Sequence, residues 1–192
     1  VPEWEEKPMK QVAVLIADGF ETTEALTVVD VLRRAGVRAH LVAAGPFARL
    51  RSAQQIHVTA DLTLEALETD DVACYVVPGG IPLARALMAN RAVCDLLVKA
   101  AGQGVTLAAL SAGVVVLGKL GLLRGVRCVD FPDHDTIAPD ALVCSERVVG
   151  DGAVLTASAL ADTLVFSLAL VRLLLGEDVA AKTSESVHGA LS

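Results

Sequence analysis

Three short stretches pair residues able to do polar chemistry with the small neighbours such chemistry requires. The first is Ala109-Leu110-Ser111-Ala112-Gly113, a serine at the junction of two apolar runs. Small residues two before and two after Ser111 suit a sharp strand-to-helix turn. The central residue of such a turn is forced into a strained backbone, and bulky neighbours would clash with it. A hydroxyl held there could act as a nucleophile, with the first N–H groups of the next helix, beginning at Ala112, stabilising a developing anion. Ser111 could equally be an ordinary N-cap, a position that serine favours. The second stretch is Pro78-Gly79-Gly80, whose glycines permit close approach and offer further backbone N–H groups. The third runs from Asp18 to Glu24. Glu24 is a candidate proton acceptor, or else a solvated first-turn acid favoured by the helix dipole.

His134 sits within Asp130-Phe131-Pro132-Asp133-His134-Asp135. It is a second candidate base, alongside its reading as an exposed loop histidine. The acidic residues around it follow no metal-ligand template, so no metal is expected. No P-loop or Rossmann glycine fingerprint is present, and no cofactor is expected. Cys74, Cys94, Cys128 and Cys144 include no CxxC pair and read as free thiols in apolar or strand-like segments.

The elements that must position these residues follow from the spacing of apolar side chains. Val12 to Ala17 is a short buried strand ended by Asp18-Gly19. Thr22 or Thr23 then caps a helix to about Ala35, with Ala25, Val28, Val29 and Leu32 on one face and Gly36 closing it. Val37 to Ala43 completes a right-handed βαβ unit. Leu50-Arg51 and Ile56 to Thr59 suggest a small hairpin or edge extension. Val72 to Val77 and Val105 to Leu110 are core strands, separated by a helix or helix pair from Leu83 to about Ala101. Val126 to Val129 and Ala141 to Val143 are short strands. Arg147 to Val149 and Val154 to Ala157 flank Gly150-Asp151-Gly152, a hairpin turn. A helix from Ala161 to Leu175 follows, its apolar stretch Leu164 to Leu175 read as core, with a dimer patch as the alternative. The predicted fold is α/β: a flavodoxin-like, doubly wound, mostly parallel sheet with helices on both faces and a late β-hairpin. Ligands of such sheets gather at the carboxyl ends of the strands, where all three stretches fall.

Composition agrees. The 192 residues suit one domain, 1–192, with 1–9 as an N-terminal extension. Apolar residues make up 54% and aromatics only 3%, so the core must be built from Val, Leu and Ala, as in sheets covered on both faces. A net charge of −7 without any basic run argues against a nucleic-acid partner. The acidic start lacks a signal-peptide pattern, and Leu164 to Leu175 is too short to span a bilayer, so no membrane partner and a cytoplasmic location are expected.

Taken together, the motifs resemble the ThiJ/PfpI superfamily. Val14-Leu15-Ile16-Ala17-Asp18-Gly19-Phe20-Glu21 with Glu24, then Val29 to Gly36, is similar to its opening. Val76-Val77-Pro78-Gly79-Gly80 is similar to its strand-end turn, and Ala108 to Gly113 to its elbow. Ser145-Glu146-Arg147-Val148 through Gly176-Glu177-Asp178-Val179-Ala180-Ala181 is similar to its C-terminal part. The resemblance implies a homodimer, a glutamate at Glu24 bonded to the elbow residue, and an oxyanion pocket of backbone amides at Gly80 and Ala112, with Gly79 beside them. It also implies activities on glyoxals, glycated adducts, peptides or isonitriles, or roles in redox sensing and chaperoning.

Three positions depart from the pattern. The elbow residue is Ser111 where family enzymes carry cysteine. Phe131 stands where a histidine is frequent. Ala159-Leu160-Ala161-Asp162 replaces a Gly-Pro-Gly-Thr type loop. A serine hydroxyl needs an adjacent base where a thiol needs only a modest fall in pKa. The departures therefore favour a small-molecule-binding or regulatory, stress-related module. The alternatives are a hydrolase- or lyase-type enzyme, glyoxalase-, deglycase- or peptidase-like, using Ser111, Glu24 and His134, or a cysteine enzyme in which serine has been put at the nucleophile position.

Overall fold

The first strand is buried along its whole length, as an interior strand of the sheet must be. The computed structural model describes residues 10–188; the extension at 1–9 and residues 189–192 lie outside it. Strand β1 (Gln11–Ile16) pairs in parallel with β2 (Ala39–Ala43) on one side and β6 (Val72–Val77) on the other. β6 pairs with β7 (Thr106–Leu110), and β7 with β11 (Val154–Ala157), both in parallel. Only β10 (Val148–Asp151) runs antiparallel, as the outer arm of the expected late hairpin. The seven-stranded order is β10-β11-β7-β6-β1-β2-β5, where β5 (Leu62–Thr63) is a short edge strand that the residue pattern did not signal. The hairpin of β3 (Arg49–Arg51) and β4 (His57–Thr59) and the pair β8 (Arg127–Val129) and β9 (Leu142–Cys144) form separate two-stranded sheets.

Helices cover both faces. α1 (Thr22–Arg34), α6 (Thr163–Leu175) and α7 (Glu177–His188) pack together on one; α2 (Ile81–Ala89), α3 (Arg91–Gly102) and α4 (Ala112–Lys119) form the other, with α5 (His134–Ile137) against α4. The expected helix between Leu83 and Ala101 is a pair, split at Asn90, whose side chain accepts from Ala92 N–H and Val93 N–H and so caps α3. α6 buries Phe166, Leu170 and Val171 as expected of a core helix, while Val165 stays exposed on its outer side.

Two local expectations are corrected. Neither Thr22 nor Thr23 caps α1: Glu21 holds the N-cap position, and the Thr22 hydroxyl instead donates to Gln54 Oε1 at 2.6 Å. The acidic stretch around His134 ends in a helical turn rather than continuing as loop, because the Asp133 carbonyl accepts from both Thr136 N–H and Ile137 N–H. α7 follows the last helix read from the residue pattern; it buries Ala180 and Thr183 against the α1–α6 layer.

Glycines decide how closely α4 can approach the sheet. A Cβ on Gly113, the second residue of α4, would overlap the Val77 carbonyl oxygen at the end of β6. Gly102, at the end of α3, has open space around its missing Cβ. Gly113→Ala is therefore expected to destabilise the fold by about 1–3 kcal/mol, as overpacking against backbone does. Gly102→Ala is expected to stabilise it by about 0.4–1 kcal/mol through the unfolded chain. Urea unfolding of the two variants beside the native protein measures both.

Candidate functional site at the strand ends

The carboxyl ends of β1, β6 and β7 come together through backbone contacts that only small residues allow. Glu21 N–H donates to the Gly79 carbonyl at 2.9 Å, and Gly79 N–H donates to Glu24 Oε2 at 2.5 Å. A Cβ on Gly79 would stand 2.5 Å from Glu24 Oε2 and 2.9 Å from Ser111 Cβ. Glu24 and Ser111 thus face each other across the gap that a methyl group would fill. Gly80 has φ 111° and sits against the Gly19 carbonyl, where a side chain has no room.

Ser111 occupies the N-cap position of α4 with φ 50° and ψ −124°, and its side chain makes no capping hydrogen bond. The ordinary-cap alternative is thereby set aside, and the strained turn stands. A non-glycine residue in this region costs on the order of 1–3 kcal/mol, which the surrounding structure must supply. Three contacts supply it: Ser111 N–H donates to the Ala157 carbonyl at 2.8 Å, Val114 N–H donates to the Ser111 carbonyl at 3.1 Å, and Gly113 packs on β6.

The backbone donors divide into used and free. Gly79 N–H is taken by Glu24, so it is not available to a ligand. Among the described residues, neither Gly80 N–H nor Ala112 N–H finds an acceptor. Ala112 follows Ser111 in the chain, and Gly80 follows Gly79, whose absent Cβ would lie 2.9 Å from Ser111 Cβ.

Glu24 is 1% exposed, a carboxyl group that the solvated-acid alternative does not describe. Burial pushes its pKa up to about 7; the Gly79 N–H bond opposes that rise, and nearby Glu21 adds to it. Near neutral pH it therefore exists in both charge states. Among the described residues the Ser111 hydroxyl makes no hydrogen bond to it.

Beyond Ser111 lies a cleft of about 620 Å³ between α2, α4 and the segment from Phe131 to Ile137. Ile81, Met88, Val115, Phe131 and Ile137 make most of its wall apolar. Phe131 is 5% exposed and presents a ring with no polar atom to the cleft. His134 opens α5, and its side chain lies outside what the structure describes. Ser158 also lines the cleft. The sequence reading passed it over, although its position immediately after the strand Val154–Ala157 was a usable signal.

Among the described residues no group of three or more His, Cys, Asp or Glu side chains gathers to hold a metal, and no helix is long and apolar enough to cross a membrane. All four cysteines are free; burial pushes the Cys74 and Cys128 thiols up, away from thiolate chemistry.

The model of the DJ-1/PfpI family matches residues 10–173, which include every element of the site. The chain belongs to the DJ-1/PfpI family. It is 28% identical over 184 residues to protein DJ-1 homolog B of Arabidopsis thaliana, covering 95% of this chain but 42% of that one. It is 27% identical over 184 residues to protein dj-1beta of Drosophila melanogaster, covering 95% and 97% of the two chains. Among solved structures, a mutant of a DJ-1 superfamily protein from Salmonella typhimurium superposes with a TM-score of 0.87 at 31% identity, over 94% of this chain and 98% of that one. The doubly wound sheet is thus a family feature.

The raised pKa of Glu24 makes stability depend on pH with a definite sign. Between about pH 4.5 and 7 the folded protein holds a proton on Glu24 that the unfolded chain releases. The contribution is complete below the unfolded pKa and is lost as pH rises through about 7. Glu24→Gln, a neutral isostere that can still accept from Gly79 N–H, is expected to gain stability relative to the native protein as pH rises from 5 to 8. Melting temperatures of both proteins across that range test the sign, and parallel curves would contradict it.

Proposed function

We propose that this protein is a small-molecule-binding member of its family that holds a carbonyl compound at Ser111 without nucleophilic chemistry. The observation that carries this reading is the strained serine at the edge of an apolar cleft, followed by Ala112, whose N–H, like that of Gly80 after β6, finds no acceptor among the described residues. A carbonyl oxygen can take both hydrogen bonds while its apolar substituent enters the cleft. The chemistry of the neighbours supports binding over reaction. A hydroxyl must lose its proton to attack, and Glu24 is not hydrogen-bonded to it and is part-protonated at neutral pH. Phe131, where the resemblance implies a frequent histidine, offers no nitrogen.

A second reading has one observation in its favour. The backbone at Ser111 keeps the φ of 50° that an elbow nucleophile needs, although a serine serving only as a helix cap would not. Under that reading Ser111 attacks a small carbonyl compound, Glu24 in its charged form takes the proton, and the two free N–H groups hold the oxyanion.

Homodimer formation belongs to the same proposal. Its support is a set of exposed apolar side chains on and beside α1 and the β3–β4 hairpin: Leu26, Phe47 and Ile56. Light scattering is expected to give twice the chain mass, and Phe47→Asp to shift it toward the single-chain value; native protein at the single-chain mass would remove this part of the reading.

Two measurements separate the readings. The native protein is expected to leave methylglyoxal unconsumed and to bind hydroxyacetone saturably in an NMR titration, with binding lost when Val115→Trp fills the cleft. Absence of saturable binding would sink the proposal. Methylglyoxal consumption by both the native and the Ser111→Cys forms, abolished by Glu24→Gln, would establish the enzyme instead. Consumption by the Ser111→Cys form alone would mark a cysteine enzyme silenced at one atom.

A further inference from the structure

A second hydroxyl stands beside the first. Leu110 of β7 pairs with Ala157 of β11, and the Ser111 N–H bond to the Ala157 carbonyl carries that pairing one step past the strand end. Ser158 follows Ala157 as Ser111 follows Leu110, and both line the same cleft. They differ in what lies behind them. The Ser158 hydroxyl is within 3.0 Å of Asp162 Oδ2, to which it donates, and within 3.5 Å of the Arg147 carbonyl. The Asp162 side chain is only 7% exposed and receives Arg147 Nε at 2.7 Å. This carboxylate falls in the 3₁₀ turn Leu160–Asp162, within the segment where the loop of the resembling family is replaced.

The chemistry of that arrangement is one-sided. A serine hydroxyl has one proton and two acceptor lone pairs. Both protein groups facing Ser158 Oγ are acceptors, and one is a charged carboxylate held by an arginine, so the proton points into the protein. What Ser158 shows the cleft is lone pairs. We infer that Ser158 is a specificity-determining residue that selects ligands bearing an O–H donor on the carbon next to the carbonyl, and that Asp162 is the residue that positions it. Neighbouring strands lie about 4.7–4.9 Å apart, a span that a carbonyl group and a donor one carbon away can bridge. The ligand class is therefore α-hydroxy carbonyl compounds. This inference rests on the carbonyl-binding reading above.

Hydroxyacetone and butanone test it, because a methyl group in the second replaces the hydroxyl of the first at nearly constant size. The readout is the ratio of their dissociation constants from NMR titrations, butanone over hydroxyacetone. In Ser158→Ala this ratio is expected to fall by about fivefold or more, the loss of one net hydrogen bond. Ser158→Thr, which keeps the hydroxyl, is expected to retain the native ratio. Asp162→Asn is expected to lower it, since an amide can donate to Ser158 and turn its proton toward the ligand. A ratio unchanged in Ser158→Ala overturns the inference while leaving carbonyl binding intact. Failure of native protein to bind either ketone overturns the carbonyl-binding reading and this inference with it.

Discussion

One buried hydrogen bond, from Gly79 N–H to Glu24 Oε2, ties the end of β6 to the first turn of α1. Its geometry sets terms for everything nearby. Position 79 must lack a side chain, since a Cβ there would crowd both Glu24 and Ser111. Glu24 must stay buried beneath the strand ends, which makes its negative charge costly and lifts its pKa to about 7 despite the favourable N–H bond. With Gly79 N–H occupied, Gly80 N–H and Ala112 N–H are donors that find no acceptor among the described residues. A carboxyl group that serves first as a structural clamp is poorly placed to act as a ready base.

Strain at Ser111 is the second consequence of that packing. The serine keeps its unusual backbone because Ala157 holds its N–H and Gly113 lets α4 sit directly on β6. Sulfur in this position would need only a modest lowering of its pKa to become a nucleophile, whereas oxygen needs a partner to remove its proton. The same scaffold can host either a reactive group or a polar contact for a bound ligand, and the identity of one atom changes which is easier. Phe131 shifts the balance in the same direction by adding an apolar residue to the lining of the cleft.

The other side of the cleft is organised by charge. Asp162 lies almost wholly out of water, and a lone buried carboxylate there would be expensive. Arg147 and the Ser158 hydroxyl share that burden, which makes a weakly placed loop serine into a fixed one. The exposed guanidinium of Arg147 limits the strength of the ion pair, so the value of the arrangement lies in orientation more than in stability.

Much of this was readable from residue order. Buried runs such as Val12 to Ile16 and Val72 to Val77 dictate central strands, and the small residues around Ser111 dictate a tight turn, because both are local consequences of side-chain size and backbone sterics. The late hairpin was equally local, fixed by Gly150-Asp151-Gly152. Long-range pairing decided the rest. The bond between Gly79 and Glu24 joins residues 55 positions apart, and no spacing rule places Glu24 nearer to that N–H than to the serine hydroxyl. Thr22 lost its expected capping role because Gln54, distant in sequence, offered an acceptor at 2.6 Å. Ser158 gained its place beside Ser111 only through the parallel pairing of β11 with β7. The sequence determined that a serine would stand in a strained turn at the end of a buried strand. The tertiary structure alone decided which donors remain free, that burial raises the pKa of Glu24 and that Ser158 lines the same cleft, because these depend on burial and on partners that chain order does not fix.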